Sequence, residues 1–164
     1  MSMQKSPFYA RRYVTNIAVG GVIAALYAVL SMINIPIFGF FQLRPAEALT
    51  VLPVFTSAAI PGLYVGCVLA NYLTGCLWQD IVFGSLATLL GAVGTALLRK
   101  HPLLATLPPV LANGAIIPPV LMFAYGVESG YLALTASVVI GEVLSACLLG
   151  YLLYRASRGV EKHR

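Results

Sequence analysis

The sequence predicts an all-α membrane protein, a bundle of six transmembrane helices with both termini in the cytoplasm. Three observations carry that expectation. The first is composition: of 164 residues, 60% are apolar and 9% charged, and mean hydropathy is +0.91. A soluble domain has about 25% charged residues on its wetted surface, and this chain has too few to coat one. The same apolar richness excludes disorder. The second observation is that the apolar residues fall into long runs. The third is that the formal charge of +5 sits at loops and ends beside those runs, a membrane pattern that gives no reason to invoke nucleic acid.

A span needs about 20 mostly apolar residues, fewer when neighbours shield it. Six segments qualify, at 14–34, 45–58, 61–77, 81–98, 103–125 and 131–154. Arg11 and Arg12 precede the first, as in a secretory leader. Its run is longer than an ordinary leader core and five more follow, so it reads as a retained helix. The second segment is short and carries Pro45 and Pro53, which suits a piece packed inside a bundle or lining a cavity. With the N-terminus inside, Lys5, Arg11, Arg12, Arg99, Lys100, Arg155, Arg158, Lys162 and Arg164 are all cytoplasmic, as the positive-inside rule requires, and Arg44 alone lies outside. The outer loops are then 35–44, 78–80 and 126–130. Nothing suggests a repeat or a separate soluble domain, so residues 1–164 read as one integral membrane domain.

Helices in lipid associate through small residues that let backbones approach. The first span has Gly20, Ala24 and Ala28 at four-residue steps, with Gly21 and Ala25 beside them. The fourth has Gly84, Ala87, Gly91 and Gly94, and the sixth has Ser137, Gly141 and Ser145. Each stripe suits packing within the bundle; the first also suits docking on another membrane protein.

An ionisable side chain within the membrane is costly and is a functional candidate by default. Here these are Arg44, Glu47, Asp80 and Glu142, with the amides Asn71, Gln79 and Asn113. Arg44 and Glu47 stand three apart and would pair on one helical turn. Asp80 precedes an apolar run that it could cap. Glu142 lies near mid-depth with no basic residue at its level, so it needs a partner or a ligand. Phe38, Phe40, Phe41, Trp78, Phe83, Tyr125 and Tyr131 gather toward the outer side, either as an interfacial belt or as faces for a flat ligand. A carboxylate can accept two parallel N–H donors from the edge of such a ligand.

No phosphate-binding G-x-x-x-x-G-K-[ST] loop, HExxH or GxSxG motif occurs, and His101 and His163 fall at cytoplasmic positions. Cys67, Cys76 and Cys147 lie in apolar stretches without metal-binding spacing. No catalytic residue, metal site or cofactor is therefore expected. A membrane-embedded enzyme modifying a lipid or prenyl group would want an acidic or histidine pair near the cytoplasmic interface, which the chain lacks. A purely structural bundle would gain by losing Glu142.

FQLRPAEALTVLP (41–53), IPGLYVGCVLAN (60–71), DIVFGSLATLLGA (80–92) and LPPVLANG (107–114) together resemble the QueT family. These are small substrate-binding subunits, or S components, of energy-coupling-factor importers. The resemblance runs over about residues 12–155. It implies six helices, a substrate site near the outer face beneath a lid made by the first outer loop, and transport by toppling in the membrane. It implies uptake of a queuosine precursor, chiefly 7-aminomethyl-7-deazaguanine, with another flat heterocycle as the alternative. The implied partners are a transmembrane coupling subunit of the EcfT type and two cytoplasmic ATPases, which supply the ATP chemistry missing here. Gly20, Ala24 and Ala28 match the kind of surface that docks on the coupling subunit. For the ligand, Glu47 and Glu142 are the expected acids and Asn71 and Asn113 the amides. Trp78, Phe41 and Tyr131 are the stacking partners, Asp80 helps, and Arg44 either contacts ligand or braces the lid.

Overall fold

The computed structural model of the chain describes residues 7–33, 35–38 and 41–162, with side chains described over 11–33 and 43–159. Helix α1 (Pro7–Ser31) is apolar through most of its length beyond Asn16; it presents Val14, Ile17, Val22, Leu26 and Val29 outward and turns Ile23, Ala24, Tyr27 and Ala28 to the chain. A short hairpin of β1 (Ile35–Phe38) and β2 (Phe41–Leu43) follows, pairing Ile35 with Leu43 and Pro36 with Gln42. A 3-10 helix, Pro45–Val54, comes next, then α2 (Ala59–Leu73) and α3 (Trp78–Leu97). A 3-10 turn, Leu104–Thr106, leads into α4 (Leu107–Phe123). The last apolar stretch is α5 (Tyr131–Glu142), a π-helical segment Val143–Leu149, and α6 (Gly150–Lys162).

Four helical stretches are long and apolar enough to cross a bilayer: Arg11–Ser31, Trp78–Leu97, Leu104–Phe123 and Tyr131–Gly159. The chain is thus a multi-pass helical membrane protein. The other two expected spans are shorter. At about 1.5 Å per residue the fifteen residues of α2 reach roughly 22 Å, and at about 2.0 Å per residue the 3-10 helix reaches roughly 20 Å. Both fall below the ~30 Å hydrocarbon core. The 35–44 connection, expected as the first outer loop, contains the hairpin.

The 3-10 helix sits at the centre. Ala46, Glu47, Leu49, Thr50, Val51 and Pro53 are buried, and it packs against α1, α2, α3, α6 and the π segment. Pro45 costs nothing in the first turn, where its missing N–H has no partner to lose. Runs of 3-10 helix this long are uncommon; surrounding helices fix this one on every side. Phe55, just beyond it, stacks on Tyr154 of α6 with ring centres 5.4 Å apart.

Helices α2 and α3, α3 and α4, and α4 and α5 pack as antiparallel neighbours. By contrast α1 and α2 run parallel, Gly20 beside Gly62 and Ala24 beside Gly66, because the 3-10 helix carries the chain back between them. The closest approach uses glycine. A Cβ on Gly62 would stand 2.6 Å from the Gly20 carbonyl oxygen, and one on Gly66 would stand 2.8 Å from that of Ala24. In α4, Pro118 and Pro119 lie inside the helix, where their missing N–H groups leave carbonyls one turn back without an intrahelical donor. At the other end of the bundle the Thr95 hydroxyl donates to the Ala105 carbonyl at 2.8 Å, and Thr95 is fully buried. Thr95→Val keeps the shape but leaves that carbonyl without its donor. It should cost about 1–3 kcal/mol, read as a lower midpoint of thermal unfolding in detergent with ligand affinity unchanged.

Candidate ligand-binding site

A cavity of about 180 Å³ opens where α3, α4, α5 and the start of the 3-10 helix converge. That is far more than one water needs. Its wall combines the apolar side chains of Ile117, Leu121, Val127, Leu134 and Val138 with Arg44, Asp80, Ser137, Gly141, Glu142 and Ser145. The cavity lies toward the end of the bundle that carries the hairpin and the 73–78 and 123–131 connections. Arg11, Arg12, Arg99, Lys100 and Arg155 belong to the opposite end.

Glu142 ends α5 and is 5% exposed. Asn113 of α4, itself buried, donates its Nδ2 to Glu142 Oε1 at 3.0 Å. Glu142 Oε2 is buried with no hydrogen-bond partner among the described residues. A buried carboxylate oxygen without a donor is costly, and this one belongs to a residue of the cavity wall. A ligand N–H would relieve the cost. Arg44 closes the wall from the other side: its backbone N–H donates to Ser145 Oγ at 3.1 Å, and its guanidinium feels the charges of Glu47 and Glu142.

Asp80 reaches the cavity from the first turn of α3. It was expected as a possible helix cap, but the helix begins earlier, Leu77 occupies the cap position, and no side chain caps it. Asp80 Oδ2 instead accepts the Tyr125 hydroxyl at 3.1 Å, while that hydroxyl accepts the Leu77 N–H at 3.2 Å. Partial burial, reinforced by the Asp80 charge, pushes the Tyr125 phenol up to about 12, so it stays a donor. Asn71 donates Nδ2 to the Asp80 carbonyl at 3.3 Å. Gly84 leaves the space, since a Cβ there would come within 3.0 Å of Asp80 Oδ1.

The expected site residues therefore divide. Arg44, Asp80 and Glu142 share one cavity. Asn71 and Asn113 stand behind it and hold the two acids. Glu47 is 2% exposed and outside the cavity wall; its Oε1 accepts a short hydrogen bond from Tyr27, not a bond from Arg44, and its Oε2 is unpartnered among the described residues. Trp78 is 65% exposed and Tyr131 46%, both away from the cavity wall, in positions that suit an interfacial belt. The Phe41 side chain lies outside the described residues. Gly20 and Ala24 pack on α2 and also line a separate, open groove between α1 and α2 of about 540 Å³, whereas Ala28 is buried in the chain. Ser145, Ser137 and Gly141, expected as a packing stripe, form cavity wall; four-residue spacing marks a face and not what meets it. Tyr27 escaped notice because its partner lies twenty residues away in another element.

Residues 17–158 match the family model described as QueT transporter. The queuosine precursor transporter QueT of Lactococcus lactis subsp. cremoris (strain MG1363) is 31% identical over 90 residues, which are 53% of this chain and 49% of that relative. The match thus spans about half the length of the curated relative. No solved structure matches the chain. On the family match, which takes in most of the sequence and every residue of the cavity wall, the chain belongs to the QueT transporter family.

Proposed function

We propose that this protein is the substrate-binding membrane subunit of an energy-coupling-factor importer, capturing 7-aminomethyl-7-deazaguanine from outside the cell. The observation that carries this reading is Glu142 Oε2, a buried acceptor without a donor among the described residues, on a residue of the wall of a cavity at one end of the bundle. A guanine-like edge offers two adjacent N–H donors, and a carboxylate held in place by Asn113 is a suitable acceptor for both. Apolar Ile117, Leu121, Leu134 and Val138 suit the faces of a flat ring. The curated relative is named for a queuosine precursor, which supports the same ligand class.

In this reading residues 1–164 act as one membrane domain of six helical segments with both termini cytoplasmic. The gathering of basic residues at the end opposite the cavity supports that orientation. The partners are a transmembrane coupling subunit and two cytoplasmic ATPases. The open groove floored by Gly20, Gly21 and Ala24 suits a docked helix, because small residues let a backbone approach.

The test is binding of 7-aminomethyl-7-deazaguanine to the purified protein, with guanine and riboflavin as controls and a thermal-shift panel of other heterocycles beside it. Selective binding supports the reading. A folded sample that ignores the ligand and is stabilised by another heterocycle overturns the substrate assignment.

A further inference from the structure

The cavity wall offers two carboxyl groups, Glu142 and Asp80, against one guanidinium, Arg44, and the two acids sit in unlike surroundings. Glu142 is at the buried end of α5, bonded to Asn113. Asp80 is half-buried in the first turn of α3, beside the 40%-exposed Tyr125.

A ring edge and a cationic arm make different demands. Amide-like N–H donors on a ring are neutral and enter a dry site at modest cost. A primary ammonium is a compact, strongly hydrated charge, and stripping it of water is costly. It is best held where an acid meets it while part of its hydration remains. Glu47 does not offer that: it lies outside the cavity wall, buried, with one oxygen already accepting from Tyr27. Asp80 does.

Resting on the deazaguanine reading, we infer that Asp80 recognises the cationic arm of the ligand while Glu142 reads the ring edge, and that Tyr125 is a positioning residue that aims Asp80. Tyr125 takes up Asp80 Oδ2 and is itself fixed by the Leu77 N–H. Asn71 anchors the Asp80 main chain, and Gly84 keeps room beside Oδ1. A neutral phenol on one oxygen orients the carboxylate at the cavity wall without neutralising it. This divides the labour differently from an arrangement in which Glu47 meets the ammonium.

The experiment compares two ligands on the full-length protein: 7-aminomethyl-7-deazaguanine, and 7-deazaguanine, which has the same ring and no arm. Asp80→Asn keeps an acceptor for Tyr125 and removes the charge. It should weaken the aminomethyl ligand at least tenfold and leave 7-deazaguanine within about twofold. Tyr125→Phe should move affinities in the same sense by a smaller factor, whereas Glu142→Gln should weaken both ligands alike. Equal loss of both ligands in Asp80→Asn, or loss of neither, overturns the inference while wild-type binding of both upholds the deazaguanine reading. Wild-type protein that binds neither ligand overturns that reading and the inference with it.

Discussion

Glu142→Gln is expected to weaken binding of 7-aminomethyl-7-deazaguanine by at least tenfold while the protein stays folded. The side chain keeps its size, and the new amide oxygen still accepts from Asn113 Nδ2, now at 3.0 Å from Glu142 Oε1. What changes is the other atom: the unpartnered Oε2 becomes an NH2 group that faces the ligand's own donors. Hydrogen bonds to a charged group contribute about 1.5–3 kcal/mol, so their loss corresponds to roughly a tenfold to hundredfold rise in Kd. Titration calorimetry of the purified variant measures it, with thermal unfolding as the check on folding. Unchanged affinity removes Glu142 from the site.

Gly62→Leu is expected to be the most damaging single change to the bundle. Its Cβ would stand 2.6 Å from a main-chain oxygen of α1 and 3.2 Å from Ile23 Cβ, and no rotamer change moves a backbone. The helices must part, undoing the contact around Ile23, Leu63, Cys67 and Ala59. Overpacking of this kind costs about 1–3 kcal/mol or more, and a rigid neighbour puts it at the upper end. The unfolding midpoint should drop by several degrees and yield should fall. Gly21→Leu is the matched control, because a Cβ at Gly21 meets nothing within 4 Å. That variant should fold and bind ligand normally, so any defect it shows in assembly with a coupling subunit reports on the groove alone.

Much of this molecule is legible in its sequence, for a definite reason. In a chain with so few charges, each ionisable residue inside an apolar run stands out by its cost. That reasoning singles out Arg44, Asp80 and Glu142, which share the cavity wall, and equally Glu47, which is not part of it. Pro45 and Pro53 marked the segment that lies at the centre. Directions were harder to read. Trp78 and Tyr131 each begin a helix at the cavity end, and composition gives the end but not the side the ring faces. Asn71 and Asn113 were identified as amides of the site, yet that they brace acids follows from contacts across helices. The Tyr27–Glu47 bond joins two elements that no periodicity relates. The hairpin and the π segment were invisible: one is a few residues around Pro36, and the other has the same apolar texture as the helices flanking it.

The π segment Val143–Leu149 works as a rotational offset along one continuous stretch of chain. In an α-helix each residue advances about 100° around the axis, and a wide turn accommodates an extra residue without a break. Ser145, to which the Arg44 amide is bound, lies within the offset; Ser137 and Gly141 precede it, and Tyr154, which stacks on Phe55, follows it. The cavity end and the basic end of this long helix are thus set at independent angles. Were the same residues wound as an ordinary α-helix, everything beyond would be swung by about 100°, and the two ends could no longer both meet their neighbours. Deleting one residue between 143 and 149, which lets the wide turn close to an ordinary one with the two ends still aligned, should be tolerated better than inserting one.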